Sequence, residues 1–112
     1  MEKKSLFAVP ESSLSDEFFE NLLKGKEFKI ERIVSKGHIT EPGTWLDQDF
    51  DEWVILFQGA AKLKLFDLNE ELSMLPGDYI LIPARTKHRV TWTDDNQLTY
   101  WLAIHFKAEG LD

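Results

Sequence analysis

The segment spanning residues 45–59, WLDQDFDEWVILFQG, begins with side chains that carry potential ligand atoms and continues as an apolar strand. Asp47 and Glu52 offer carboxylate oxygens, and Gln48 offers an amide oxygen. Side chains of a strand alternate between its faces, so Gln48 points to the same side as Glu52, whereas Asp47 reaches that side only through a bulge. The sequence therefore predicts oxygen atoms at the mouth of a buried strand, where they can bind a metal ion or transfer protons.

Two histidines add nitrogen atoms to this candidate site. His88 follows a loop and opens a predicted strand, and His105 lies within the apolar run WLAIHF. A buried polar side chain needs a partner, and imidazole suits both metal binding and proton transfer. If Glu52 is buried without a metal ion, burial should raise its pKa, which suits a general acid or base.

Arg85 and Trp92 are candidates for contact with a ligand. Arg85 lies in the loop before His88, where its guanidinium either is solvated or reaches over the mouth of the site to a ligand carboxylate. Trp92 follows His88 on the same predicted strand, and we expect it to line an apolar part of a cavity.

The spacing of apolar residues predicts the elements that position these side chains. In residues 15–24 the apolar side chains recur at helical spacing, after the N-cap-like Ser13 and before Gly25, which predicts one short helix. The period then changes to 2, and turn residues separate the apolar runs. The predicted strands are near residues 27–35, 52–58, 61–65, 72–74, 79–82, 88–93 and 97–107. This pattern predicts an all-β sandwich or barrel in residues 27–112, preceded by an arm and the helix in residues 1–26.

Composition excludes several classes of function. A chain of 112 residues is one domain, and its net charge of -7 argues against nucleic acid as a partner. The chain has no cysteine, so disulfides and thiolate metal sites are excluded. No apolar run is long enough to span a membrane, and the N-terminal residues do not resemble a signal peptide. A cytoplasmic location is the default expectation.

Two motifs in this sequence resemble those of the cupin superfamily. The second cupin motif is Gly, five residues, Pro, one residue, Gly, two residues, His; Gly77, Pro83 and His88 match it, and Arg85 replaces its second glycine. The first motif ends in Glu, six residues, Gly, which Glu52 and Gly59 match, but its His-x-His head is absent. The chain is also similar to small bacterial single-domain cupins with no assigned activity.

The resemblance implies a jelly-roll β-barrel that is commonly dimeric and often holds a divalent metal ion in its mouth. Of the residues that bind the ion in metal-binding cupins, Glu52 and His88 carry over. Gln48, or Asp47 through a bulge, would have to replace the missing histidines. Such a set of imidazole and oxygen donors suits Zn, Mn, Fe or Ni about equally.

Three functions follow as alternatives. The first is a barrel that binds a divalent metal and a small polar or anionic ligand, and the second is a metal-free barrel that binds or senses a small molecule. The third is an enzyme that uses His88 and Glu52, either as an isomerase of small polar molecules or as an oxygenase, which would need His105 as its second imidazole. A homodimer is expected, because the apolar outer face of the strand at residues 53–57 needs a cover, which either the N-terminal segment or a second subunit can provide.

Overall fold

A computed structural model of the protein describes residues 1–9, 15–68 and 70–107. These residues form eight strands and no helix. In chain order the strands are β1 (Phe18–Lys24), β2 (Phe28–Ser35), β3 (Asp51–Gln58), β4 (Ala61–Leu65), β5 (Glu71–Met74), β6 (Tyr79–Ile82), β7 (His88–Thr93) and β8 (Thr99–Phe106). No helix in the described part of the chain is long and apolar enough to cross a membrane. The predicted all-β class is confirmed.

The strands form two antiparallel sheets that enclose the core. The larger sheet has the order β1-β2-β8-β3-β6, and the smaller one has the order β5-β4-β7. Strand β3 lies between β6 and β8, and its Glu52 stands opposite Ile82 on one side and His105 on the other. The register therefore brings residues from distant parts of the sequence to the same end of the larger sheet.

Alternation of side chains accounts for the core. In β3 the side chains of Val54 and Leu56 are buried, while those of Trp53 and Ile55 between them are only half-buried. The inward residues of both sheets meet in one apolar cluster, which contains Val54, Leu56, Ala61, Leu63, Met74, Ile82, Trp101 and Ala103. Seven strands follow the sequence prediction closely, because each is a short apolar or alternating run between turn residues.

The predicted helix at residues 15–24 is wrong, because residues 18–24 form strand β1. This strand pairs with β2, and the hairpin between them closes with the Gly25 backbone N–H donating to the Phe28 carbonyl at 2.9 Å. A helix of ten residues is marginal on its own, whereas the open edge of β2 offers a full set of backbone partners. The N-cap predicted at Ser13 lies outside the described residues.

The first residues of the chain pack against the outer face of the larger sheet. The buried Arg32 guanidinium donates to the carbonyl oxygens of Ser5, Leu6 and Ala8. The ring of Phe7 meets the rings of Phe57 and Tyr100 edge-on, at centroid distances of 5.4 and 5.3 Å. The N-terminal arm thus covers one end of this face and leaves the other end open.

Candidate functional site

A cavity of about 250 Å³ lies between the two sheets. Its apolar wall includes Val54, Leu63, Ile82 and Trp101. Its polar residues come from separate elements: Lys29 and Glu31 from β2, Glu52 from β3, His88 from β7, His105 from β8, Glu17 from the residue before β1, and Thr40, Asp47 and Gln48 from the segment between β2 and β3. The volume is at the small end for ligand pockets, so the cavity suits a small molecule.

Glu52 and His88 form the central polar contact of the cavity. Both are buried, and Glu52 Oε1 lies 3.5 Å from His88 Nε2. The Gln48 amide nitrogen donates to the same Glu52 oxygen at 2.8 Å. His88 Nδ1 lies 2.9 Å from the Thr86 carbonyl oxygen, which can only accept, so Nδ1 carries a proton and Nε2 faces Glu52.

Backbone contacts hold the two sequence stretches of the site together. Leu46 and His88 exchange two backbone hydrogen bonds at 2.7 and 3.0 Å, and the Arg85 N–H donates to the Gln48 carbonyl at 2.8 Å. Gln48 therefore lies beside Glu52 because it is tied to the loop before β7. It does not lie there through strand parity, since β3 begins only at Asp51.

The contact between Glu52 and His88 fixes their ionisation. Burial alone would raise the pKa of Glu52, but the His88 hydrogen bond, the nearby charges of His105 and His88 and the Gln48 hydrogen bond together lower it. Burial alone would likewise lower the pKa of His88, but the contacts with Glu52 and Thr86 and the charges of Glu52 and Asp47 raise it. The expected rise in the pKa of Glu52 is therefore wrong, and the pair favours a carboxylate beside an imidazolium.

A second carboxylate–imidazole pair lines the same cavity. His105 faces the interior, and its Nε2 lies 3.5 Å from Glu31 Oε1. The other oxygen of Glu31 lies 4.0 Å from Lys29 Nζ. The sequence analysis missed Glu31 and Lys29, although their alternation with Ile30 and Arg32 in β2 put them on one strand face.

The remaining predicted residues are placed differently. Asp47 lines the cavity but is exposed, so it lies at the rim. Arg85 is exposed and does not line the cavity, and its φ of 59° is unusual for a residue other than glycine. Trp92 is also outside the cavity lining, because it points outward and lies under Lys62 Nζ, 5.9 Å from the ring centroid. A bulge in the β4–β7 register between Lys62 and Leu63 accompanies this outward turn.

The predicted metal ligands do not form a complete set as they are arranged. Glu52 Oε1 and His88 Nε2 meet, but Gln48 presents its amide nitrogen, which is not a metal donor. His105, which the oxygenase hypothesis requires, faces the cavity but lies against Glu31. Within residues 1–9, 15–68 and 70–107, no group of three or more His, Cys, Asp or Glu side chains is placed to hold a metal ion. The set is one donor short of the three protein ligands usual in a catalytic zinc site.

Solved structures share this architecture. A protein from Ralstonia eutropha JMP134, described as a putative mannose-6-phosphate isomerase, is 41% identical, with a TM-score of 0.91 over 96% of this chain and 100% of that chain. A cupin superfamily protein from Desulfitobacterium hafniense DCB-2 is 16% identical, with a TM-score of 0.68 over 83% of this chain and 79% of that one. An RmlC-like cupin with a double-stranded β-helix fold from Methanocaldococcus jannaschii is also 16% identical, with a TM-score of 0.69 over 96% and 93% of the two chains.

These likenesses, together with the two motifs, define the class of the protein. No protein-family model matches the chain, and no curated protein matches it. The similarity to the first solved structure extends over nearly the whole chain at substantial identity, and the more distant structures share the double-stranded β-helix fold. The chain belongs to the cupin superfamily.

Proposed function

We propose that the cavity binds a small polar carbonyl compound and that Glu52 and His88 isomerise it by proton transfer. The observation that carries this proposal is the buried contact of 3.5 Å between the carboxylate and the imidazole, which face a cavity large enough for a small molecule. The description of the Ralstonia eutropha relative as an isomerase supports the same class of reaction.

The chemistry needs one base and one acid at neighbouring atoms of the ligand. Glu52, as a carboxylate, takes the proton from the carbon next to the carbonyl, and that electron pair forms a carbon–carbon double bond. His88, as an imidazolium, gives its Nε2 proton to the carbonyl oxygen, which yields an enediol. The protonated Glu52 then returns its proton to the former carbonyl carbon, and the neighbouring hydroxyl gives its proton back to His88. Protons and electrons balance without a further reactant.

Gln48 and Thr86 have supporting roles in this proposal. The Gln48 amide holds the carboxylate of Glu52 toward the cavity, and the Thr86 carbonyl keeps the Nδ1 proton of His88 in place. The proposal also includes a homodimer and a cytoplasmic location, as the sequence predicts.

Deuterium exchange tests the proposal. We expect the protein to exchange the hydrogen next to the carbonyl of small hydroxy-carbonyl compounds with D₂O, as followed by proton NMR. Glu52→Gln and His88→Gln should each lower the exchange rate by about 100-fold or more, the usual effect of losing an acid or base. His38→Gln is the control, because His38 lies in a turn outside the cavity lining. Exchange that is no faster than in a protein-free sample, or that survives in Glu52→Gln, would contradict the proposal.

A divalent metal ion bound by Glu52 and His88 is a second candidate function. It is favoured by the Nδ1 proton of His88, because a metal ion that displaced the Nε2 proton would find the Nε2 lone pair beside the Glu52 carboxylate. Gln48 would complete the set only if its amide turned to present oxygen, and Asp47 only if it moved inward from the rim. A bound Zn, Mn, Fe or Ni ion would act as a Lewis acid toward a carbonyl oxygen.

Metal analysis separates the two candidates. If a metal is bound, protein purified without a histidine tag should contain about one divalent ion per chain, and His88→Ala should lose it. Equal metal content in the two proteins would eliminate this candidate. A bound small molecule without proton exchange would instead indicate a binding or sensing barrel.

A further inference from the structure

We infer that the cavity takes an uncharged hydroxy-carbonyl compound rather than a phosphorylated one, and that Glu31 and His105 form the second polar contact that holds it. This inference rests on the proposed function and names the class of its ligand. It depends on three observations: an unpartnered buried nitrogen, the position of that nitrogen relative to Glu52, and the charge of the cavity lining.

The first observation is the state of His105. His105 is 7% exposed. Its Nε2 atom has no hydrogen-bond partner among the described residues, although Glu31 Oε1 lies 3.5 Å away. A buried nitrogen without a partner costs free energy, and native proteins seldom leave one unpaired. His105 lines the cavity, and a polar group of a ligand supplies the missing hydrogen bond when the side chains that cover Nε2 move aside.

The second observation is the register of the larger sheet. His105 is the direct cross-strand partner of Glu52 on one side and of Lys29 on the other. Directly opposite residues of an antiparallel pair have Cβ atoms about 5 Å apart. A ligand that contacts Glu52 is therefore within reach of His105. A hydroxyl group both donates and accepts, so it can satisfy an imidazole nitrogen and a carboxylate oxygen together.

The third observation is the charge of the lining. Four carboxylates face the cavity, those of Glu17, Glu31, Asp47 and Glu52. Lys29 is the one lysine or arginine among the described lining residues, and its Nζ lies 4.0 Å from Glu31. Proteins bind phosphate with arginine, with lysine or with the N-terminus of a helix. A phosphate dianion would meet an excess of negative charge here, since the four carboxylates outnumber Lys29 and the His88 imidazolium, whereas uncharged hydroxyl groups would meet good acceptors.

Matched pairs of ligands test the inference on the unmodified protein. The probes are D-mannose with D-mannose 6-phosphate, and dihydroxyacetone with dihydroxyacetone phosphate. The chain has three histidines, so the ring signals of each can be followed by NMR during titration. We expect the uncharged member of at least one pair to shift the signals of His105 and His88 but not those of His38. We expect its affinity to exceed that of its phosphorylated partner by at least tenfold.

A matched pair of variants tests the contribution of charge. Glu31→Gln removes one carboxylate from the cavity, so it should favour the phosphorylated probe. We expect the ratio of the two affinities, uncharged over phosphorylated, to fall about fivefold to tenfold, which is the size of one charge interaction at an intermediate dielectric. Glu27→Gln changes the net charge equally but lies exposed in the β1–β2 turn, so its ratio should remain that of the unmodified protein. Equal shifts in the two variants would contradict the role assigned to Glu31.

Two results would overturn the inference. One is a phosphorylated probe that binds as tightly as its uncharged partner, and the other is an absence of any shift at His105 with either pair at millimolar concentration. Deuterium exchange in the same samples reports separately on the proposed reaction. An uncharged probe that shifts His105 without exchange would support the ligand class and reject the isomerase. A phosphorylated probe that binds more tightly than its uncharged partner and exchanges its hydrogen with D₂O would reject the ligand class and support the isomerase.

Discussion

Glu52 and His88 are buried beside each other, and each shifts the pKa of the other toward the charged form. Each group alone would be driven toward its neutral form by burial, and each is kept charged by the other. Removing one partner of such a pair strongly destabilises the folded protein, because the other partner remains as an isolated buried charge. The residues that the proposed chemistry needs thus also affect the stability of the fold.

The stability that this pair contributes should depend on pH in a defined way. The pKa of His88 is raised in the folded state, so its contribution is complete below about 6.5, the unfolded value, and is lost as the pH rises through the folded value. The pKa of Glu52 is lowered, so its contribution is present above about 4.5 and is lost as the pH falls through the folded value. The coupling free energy of the pair should therefore be largest between about pH 4.5 and 6.5.

A double-mutant cycle with Glu52→Gln, His88→Gln and both together measures this coupling by urea unfolding. We expect about 2 kcal/mol near pH 5.5, the size of a hydrogen bond between charged groups, and a clearly smaller value near pH 9. A coupling that stays constant over this range would show that charge does not contribute to the interaction.

The sequence identified part of the site because the two cupin motifs carry Glu52 and His88. It could not identify Glu31 or Lys29, because nothing in β2 distinguishes a cavity-facing charge from a solvated one until β8 is placed beside it. Arg85 and Trp92 both lie outside the cavity lining, and for Arg85 this agrees with the solvated alternative. Arg85 occupies a position where the motif has glycine, and its left-handed backbone is set by the turn. Trp92 follows a register change that strand parity alone does not predict.

At the scale of elements, Gly59 joins β3 to β4 at a close backbone approach. Its φ is 92°, and an added Cβ atom would lie 2.6 Å from the Thr99 Cα and 2.4 Å from its hydroxyl oxygen. Gly43 has a similar φ of 87°, but among the described residues, its two chain neighbours aside, no heavy atom lies within 4 Å of the corresponding Cβ position. Replacing each glycine by alanine therefore separates the free-energy cost of the backbone conformation, which both sites share, from the cost of a steric clash, which arises at Gly59 alone.

We expect Gly43→Ala to lower the free energy of unfolding by about 1 kcal/mol, from backbone conformation alone. Gly59→Ala should lower it by about 3 kcal/mol or more, because the clash with Thr99 adds to the same strain. Chemical denaturation of both variants measures the difference. Equal losses of unfolding free energy in the two variants would show that β8 moves away at Thr99 without a cost in free energy.

Strands β2 to β8 could be predicted from the sequence, whereas the segment of β1 was predicted to be a helix, and the difference has one physical reason. The strands from β2 to β8 are short apolar or alternating runs that end at turn residues, and such runs are a local signal of a strand. Strand β1 carries apolar residues at helical spacing, yet Phe19, Leu22 and Leu23 remain exposed on an edge strand. Pairing with β2 and the contact of Glu20 with Arg32 decide its conformation, and both depend on residues outside the segment.

At the scale of the whole molecule, the larger sheet keeps an apolar outer face that the N-terminal arm does not cover. Trp53 and Ile55 are half-buried there, and their neighbours on β6, Leu81 and Tyr79, are 46% and 65% exposed. The Trp53 and Tyr79 rings lie 5.2 Å apart and form a continuous aromatic surface. Surfaces of this kind on a folded protein mark interaction sites, and a second copy of the chain is the occupant that we propose.

Sedimentation velocity of Leu81→Asp at micromolar concentration tests this homodimer. The unmodified protein should sediment as a dimer and the variant as a monomer, because a carboxylate would be buried in the interface. Ile39→Asp is the control, since Ile39 is also 46% exposed but lies in the loop after β2, whose neighbours His38 and Thr40 bond to β7 of the smaller sheet. A monomeric unmodified protein would exclude the dimer.

The order of strands in the larger sheet also sets when the molecule can fold during synthesis. Strand β8 comes after every other strand in the chain, yet it lies between β2 and β3. Until β8 has left the ribosome, β2 and β3 have no shared neighbour, and His105 is absent from the cavity. The larger sheet therefore has to close late, through contacts between residues far apart in sequence, which is the topology that folds slowly. Until β8 is made, the β3 edge that it pairs with lacks that partner strand, and an open strand edge is a place where another chain can add.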